Sequence, residues 1–212
     1  MIVTRYHHGN LRRALLAAAR LAVEADGEIG LSLRGLAAAV GVTANAPYRH
    51  FPTRASLVVA LAAEGFTDLT SRFAPFETAK GRARMLGCLT AYLHFSRENP
   101  GLYRLMFGQS LDPLSCDPAL GSKAQACFVA LMEAVAAVTQ MKRDDERVGR
   151  NAAVIWSLSH GAALLEIDRA TSFLPEPQCP TPESLAEWVM AGLGQPRTRI
   201  GGQARQSLYA VS

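Results

Sequence analysis

The stretch of this chain with the most chemical potential is residues 32–54, SLRGLAAAVGVTANAPYRHFPTR. It gathers hydroxyls, an amide, an imidazole and guanidinium groups in a short span. Such groups donate to phosphate oxygens and to the edges of bases, so the chemistry implied is recognition of a polyanion, not bond making. The hydroxyls of Ser32 and Thr43 and the amides beside them can meet phosphate oxygens. Tyr48, His50 and Arg54 can donate to phosphates from the flank, while Thr43, Ala44, Asn45, Tyr48 and Arg49 remain available on one outer face.

These groups need a stiff frame, and the local pattern supplies one. Ser32 caps a short helix that turns Leu33, Leu36, Ala37 and Val40 inward. Gly41 can take a positive φ and turn the chain sharply. Val42 is expected to plug the core behind the turn, and Thr43 to cap a further short helix ending near His50. Pro47 sits early in that helix, where its missing N–H costs at most about one backbone bond. Helix, glycine turn, short helix is the helix-turn-helix pattern, whose second helix fits a major groove. The first helix is expected over 10–26, with Asn10 as N-cap, Gly27 as stop, and Leu11, Leu15, Ala18 and Ala22 on one face. Phe51-Pro52 breaks the short helix, and Thr53 caps the next, which carries Leu57, Leu61, Phe66, Leu69 and Phe73 and ends by Pro75. Arg54 in its first turn opposes the helix dipole. That suits either a cation facing phosphate or a solvated arginine with a small local penalty.

Residues 74–79 read as a junction, followed by helices near 80–98, 101–108, 119–140, 145–170 and 182–194. The Pro-bearing stretches 109–118 and 171–181 read as loops. The expectation is an all-α chain of about nine helices. It comprises a helix-turn-helix unit over 1–73, a ligand-binding and dimerisation unit over 80–195, and a mobile tail over 196–212. With 212 residues, 49% of them hydrophobic, the chain can bury a core and is not of a disordered composition. No apolar run approaches the roughly 18 residues of a bilayer span, and the N-terminus lacks a secretory core, so a cytoplasmic protein with no membrane partner is expected. Residues 1–72 hold eight arginines and no lysine against five acids, a net of +3 out of the chain's +4. That bias suits a polyanion partner or a solvated charged face.

The segments YHHGNLRRALLAAA and LSLRGLAAAVGVTANAPYRHFPTRASL resemble the DNA-binding domain of the TetR/AcrR family of regulators, over about residues 8–73. The resemblance implies a homodimer and repression relieved by a ligand. It implies base contacts from Thr43, Asn45, Ala46 and Arg49, and phosphate contacts from Tyr48, His50 and Arg54; Ala44 on the same outer face joins the expected base set, and Ser32 and Arg34 the expected phosphate set. The family often carries Lys at the last position, so Arg54 keeps the charge with another geometry. ENPGLYRLMFG and IWSLSHGAALLE resemble, more weakly, a tryptophan/histidine-glycine subgroup, with Trp156, His160 and Gly161 as the matching residues.

Tyr92, Tyr103, Met106, Phe107, Trp156 and His160 are either ordinary core or the wall of an apolar cavity for an unidentified small molecule. Small residues (Ala152, Ala153, Ser157, Gly161, Ala162, Ala191, Gly192) beside Ile155, Trp188 and Leu193 suit a four-helix dimer interface through helices near 145–170 and 182–194, or packing within the chain. His7 and His8 read as a solvated arm or a groove contact. Cys88, Cys116, Cys127 and Cys179 fit no zinc spacing and read as small hydrophobes. No cofactor or metal motif is present, and Ser159 and His160 point about 100° apart on a helix, so they form no catalytic pair. The rival readings are a ligand carrier with a vestigial helix-turn-helix and a helical enzyme. The sequence does not separate an activator from a repressor, although repression needs no polymerase-contacting surface and is the lower-demand option.

Overall fold

The computed structural model describes residues 8–108, 111, 117–170 and 181–193. The expected mobile tail, His7, Cys116, Cys179 and most of the two Pro-bearing loops lie outside them. Among the described residues there are eight α-helices, three short 3-10 segments and no strand. The helices are α1 (His8–Asp26), α2 (Leu33–Ala39), α3 (Arg54–Ser71), α4 (Gly81–Glu98), α5 (Pro100–Met106), α6 (Pro118–Thr139), α7 (Glu146–Ile167) and α8 (Pro182–Leu193).

The first three helices pack as a small tripod. α1 starts at His8, so Asn10 lies inside its first turn and is not its cap. Its deepest stripe is Leu15, Leu16, Ala19 and Val23, with Leu11, Ala18 and Ala22 on the flank. α2 begins as expected, the Gly35 N–H donating to Ser32 Oγ at 3.3 Å. It ends in a Schellman turn: Gly41, at φ +72°, donates to the Ala38 carbonyl and Val42 to that of Ala37. Past this turn Val42 is half-buried, and it is Val40, not Val42, that packs against the core. Thr53 and Ser56 close a reciprocal capping box at the start of α3 (3.0 and 3.2 Å).

The remaining five helices form the body, but its core is continuous with that of the tripod. α3 joins them: Leu57 and Leu61 are buried in its first half and Phe66 and Leu69 in its second, and it ends at Ser71, short of the expected Pro75, so that the buried Phe73 lies just beyond it. α5 is clamped to α1 at its N-terminus. Both Glu24 carboxylate oxygens accept there, from the N–H of Gly101 (2.8 Å) and of Leu102 (3.0 Å). These amides would otherwise be orphans of the first helical turn, and a carboxylate is the group their dipole favours. The approach is so close that a Cβ on Gly101 would collide with the Val23 carbonyl. Beside the clamp, Arg20 donates to Asp68 (2.7 Å) and to Asn99 Oδ1 (2.6 Å). Arg72 joins Asp68 (3.4 Å) to Glu98 (2.6 Å). The ENPG stretch is therefore a polar fastening between tripod and body, beside the apolar packing of α3 on α5 and α6.

α6 is long and apolar enough, by length and composition alone, to cross a membrane, although no continuous apolar run of that length was read in the sequence. Its two charged side chains are spent within the fold, Lys123 on Thr67 (2.7 Å) and Glu133 on Arg84 (2.7 Å). Its inner side packs on α3, α4 and α7.

Candidate nucleic-acid interface and internal cavity

The segment expected to form a recognition helix is a turn over 44–46 followed by one 3-10 turn, Pro47–Arg49. Pro47 is the reason. In a helix capped by Thr43 its N–H would make the first i→i−4 bond, to the Thr43 carbonyl, and proline has none. That carbonyl instead accepts from Ala46 N at 3.0 Å, which tightens the turn. Phe51 N then donates to the Pro47 carbonyl (2.9 Å), and both side chains are buried. Phe51 also lies under the Arg12 guanidinium, 5.3 Å from ring centre to Cζ.

This anchoring pushes the polar groups outward. Thr43, Ala44, Asn45 and Arg49 are exposed, Tyr48 is 42% exposed, and Ala46 and His50 are half-buried. Ser32 and Arg34 are exposed on the start of α2, adjoining the same end of the tripod. Arg54 is differently placed. Its Nε donates to the Leu31 carbonyl (3.1 Å), and its Nη2 binds the Glu28 carbonyl (2.7 Å) and carboxylate (2.9 Å). Those contacts account for a cation in the first turn of α3 without any external anion, so the dipole argument for Arg54 loses its force. Glu28, 26 residues away, was not legible as its partner.

A cavity of about 320 Å³ lies in the body. α3 supplies Phe66 and Leu69, Phe73 follows it, α4 supplies Cys88, Leu89 and Tyr92, and Phe107 follows α5. The far wall is Ala124, Cys127, Phe128 and Leu131 of α6 with Trp156 and Ser159 of α7. Of the five aromatic and histidine candidates, Tyr92, Phe107 and Trp156 line it. Tyr103 is fully buried behind Tyr92, and its hydroxyl bonds Tyr92 (2.7 Å) and His160 Nδ1 (2.6 Å). His160 thus braces the two tyrosines. Phe66 and Phe73 were readable only as helix core; that α3 and the residues after it border a void is a tertiary fact.

Among the described residues, the walls carry no charge at neutral pH. Burial pushes the Tyr92 phenol up to about 12 and the Cys88 thiol up to about 11. Burial likewise raises Tyr103 and Cys127 and lowers His160 below its ordinary value of 6.5. Ser159 Oγ donates to the Ile155 carbonyl (2.9 Å) and makes no bond to His160. Among the described residues no group of acids, histidines and cysteines has metal-site geometry.

The family model described as Tetracyclin repressor-like, C-terminal domain, matches residues 85–193. No curated protein matches the chain. A protein of unknown function from Rhodococcus sp. RHA1 is 32% identical, with a TM-score of 0.74 over 91% of this chain and 100% of its own. A TetR-family transcriptional regulator from Streptomyces coelicolor is 20% identical, with a TM-score of 0.65 over 87% of this chain and 80% of its own. A regulatory protein of the TetR family from Rhodococcus RHA1 is also 20% identical, with a TM-score of 0.61 over 86% of this chain and 95% of its own. At that identity the last two bear on the fold alone. The model match spans more than half of the chain, and an all-helical tripod and body carry it: the chain belongs to the TetR family of DNA-binding transcriptional regulators.

Proposed function

We propose that this protein is a ligand-responsive repressor, not an enzyme, and that it grips a near-palindromic operator as a homodimer. The observation that carries the reading is the outward presentation of residues 43–49 from a rigid anchor, Pro47 and Phe51, next to α3. Thr43, Ala44, Asn45, Ala46 and Arg49 read bases, while Ser32, Arg34, Tyr48 and His50 hold phosphates. Arg54 joins the phosphate set only by exchanging Glu28 for the DNA. The functional division runs between 1–73 and 80–195, a division of labour within one continuous core.

Dimerisation is assigned to α7 and α8. They expose Val154, Leu158, Leu165 and Trp188, apolar side chains that a two-fold partner would cover. The cavity takes the effector. Its wall includes α3, whose capped first turn directly follows residues 43–51. A ligand that favours a conformer with α3 displaced alters the spacing of the two recognition segments, and lowers operator affinity by its differential binding energy. A cytoplasmic location follows from the partner.

Fluorescence anisotropy with the chain's own upstream DNA tests this across a salt series. Affinity should fall with a log–log slope of about −0.9 per phosphate neutralised. Tyr48→Ala should weaken binding to every sequence alike, and Asn45→Ala should relax preference at one operator position. Salt-insensitive binding, or a uniform loss in Asn45→Ala, overturns the respective assignment.

A further inference from the structure

From the lining of the body cavity we infer that its ligand is a neutral, flat molecule of about two fused rings, selected by an aromatic box that rejects anions. This rests on the effector role proposed above for the same cavity, and specifies which chemistry it accepts.

Size comes first. A cavity of about 150 Å³ admits benzene. The present one, about 320 Å³, is roughly twice that and fits a two-ring skeleton. Shape comes from the rings. Phe66 meets Phe107 edge to face at 5.4 Å, Phe128 meets Trp156 edge to face at 6.5 Å, and Phe107 lies 6.2 Å from Trp156. Faces and edges are therefore presented from three helices and the residue after α5, an arrangement that packs a planar ring better than a flexible chain. The two thiols, Cys88 and Cys127, are held protonated and offer soft contacts to the same ring.

Charge is excluded by what the polar groups already do. Tyr92 OH is shared with Tyr103 and His160, Ser159 Oγ is spent on the Ile155 carbonyl, and Cys127 Sγ sits 2.8 Å from Thr70 Oγ1. Among the described residues, no arginine, lysine, aspartate or glutamate lines the space. Among the described residues no buried side-chain polar atom lacks a hydrogen-bond partner. A carboxylate entering it loses its water and gains no counter-charge.

The test is calorimetric titration of the full chain with 2-naphthol, 2-naphthoate and 1-decanol, together with operator anisotropy at saturating 2-naphthol. The expected dissociation constant for 2-naphthol is on the order of 10 µM. 2-Naphthoate should bind at least about 100-fold more weakly, and 1-decanol about tenfold more weakly. Ala124→Leu, which fills the space, should weaken 2-naphthol at least about tenfold at unchanged helical content. No binding of 2-naphthol, or equal binding of either competitor, overturns the ligand class on the unaltered protein, whether or not the variant folds. Wild-type affinity in Ala124→Leu overturns the location. If 2-naphthol binds in the expected order but leaves operator affinity unchanged, the ligand class stands and the repressor reading is the one refuted.

Discussion

Replacing Glu24 with alanine should loosen the tripod from the body. One carboxylate receives both Gly101 N–H (2.8 Å) and Leu102 N–H (3.0 Å), half-buried between α1 and α5. A hydrogen bond to a charged group contributes about 1.5–3 kcal/mol net, and an amide left unpaired adds to the loss when water is excluded. The two bonds share one acceptor group and water can partly reach the site, so the low end applies, about 2–3 kcal/mol in all. For a chain of this size each kcal/mol moves the midpoint by about 2–4 °C, so Tm should fall by about 4–12 °C. Glu24→Gln keeps one neutral acceptor and should lose about half as much. Thermal unfolding followed by circular dichroism, at fixed protomer concentration, is the assay. Glu64→Ala, an exposed acid on α3, is the control and should stay within about 0.5 kcal/mol of the parent. A Glu24→Ala midpoint indistinguishable from that control would show that water replaces the carboxylate without loss, and the fastening would have to be credited to apolar contact alone.

Gly101→Ala drives a methyl group into the Val23 carbonyl and forces α5 off α1. Its urea midpoint should correspond to a loss of at least about 3 kcal/mol, more than Glu24→Ala, and an unchanged midpoint refutes the close approach. His160 gives a pH signature. Burial holds its pKa below 6.5, so as pH falls through 6.5 the unfolded chain takes up a proton that the folded chain does not, and stability drops. Above that value both forms are neutral and the residue contributes nothing to the pH dependence. The stability advantage of the parent over His160→Gln should therefore shrink between about pH 7.5 and 5.5, measured by denaturant unfolding; a constant difference refutes the burial argument.

Much of the frame was readable because its determinants are local. Ser32 and Thr53 cap the helices they precede in sequence, and Gly41 makes the left-handed turn its lack of a side chain allows. The body helices fall within a residue or three of their expected ends because proline and polar breaks bound them. The 3-10 form of residues 47–49 was also encoded locally, in the one N–H that Pro47 lacks. Its loss is more than a small cost to a helix, because the bond to the Thr43 carbonyl is the one that closes the first turn.

By itself the sequence determined where most of the helices start and stop, and that residues 43–49 carry polar groups with few apolar ones to hold them inside. Periodicity reports which side of a helix is apolar, since that depends only on neighbours along the chain. It does not report what that side meets. Tertiary structure alone decided that Glu24 clamps α5, that Glu28 occupies Arg54, and that Phe66 and Phe73 face a void while Tyr103 is sealed behind Tyr92. Each of these joins groups far apart in the chain, and their meeting is set by how whole helices pack against one another.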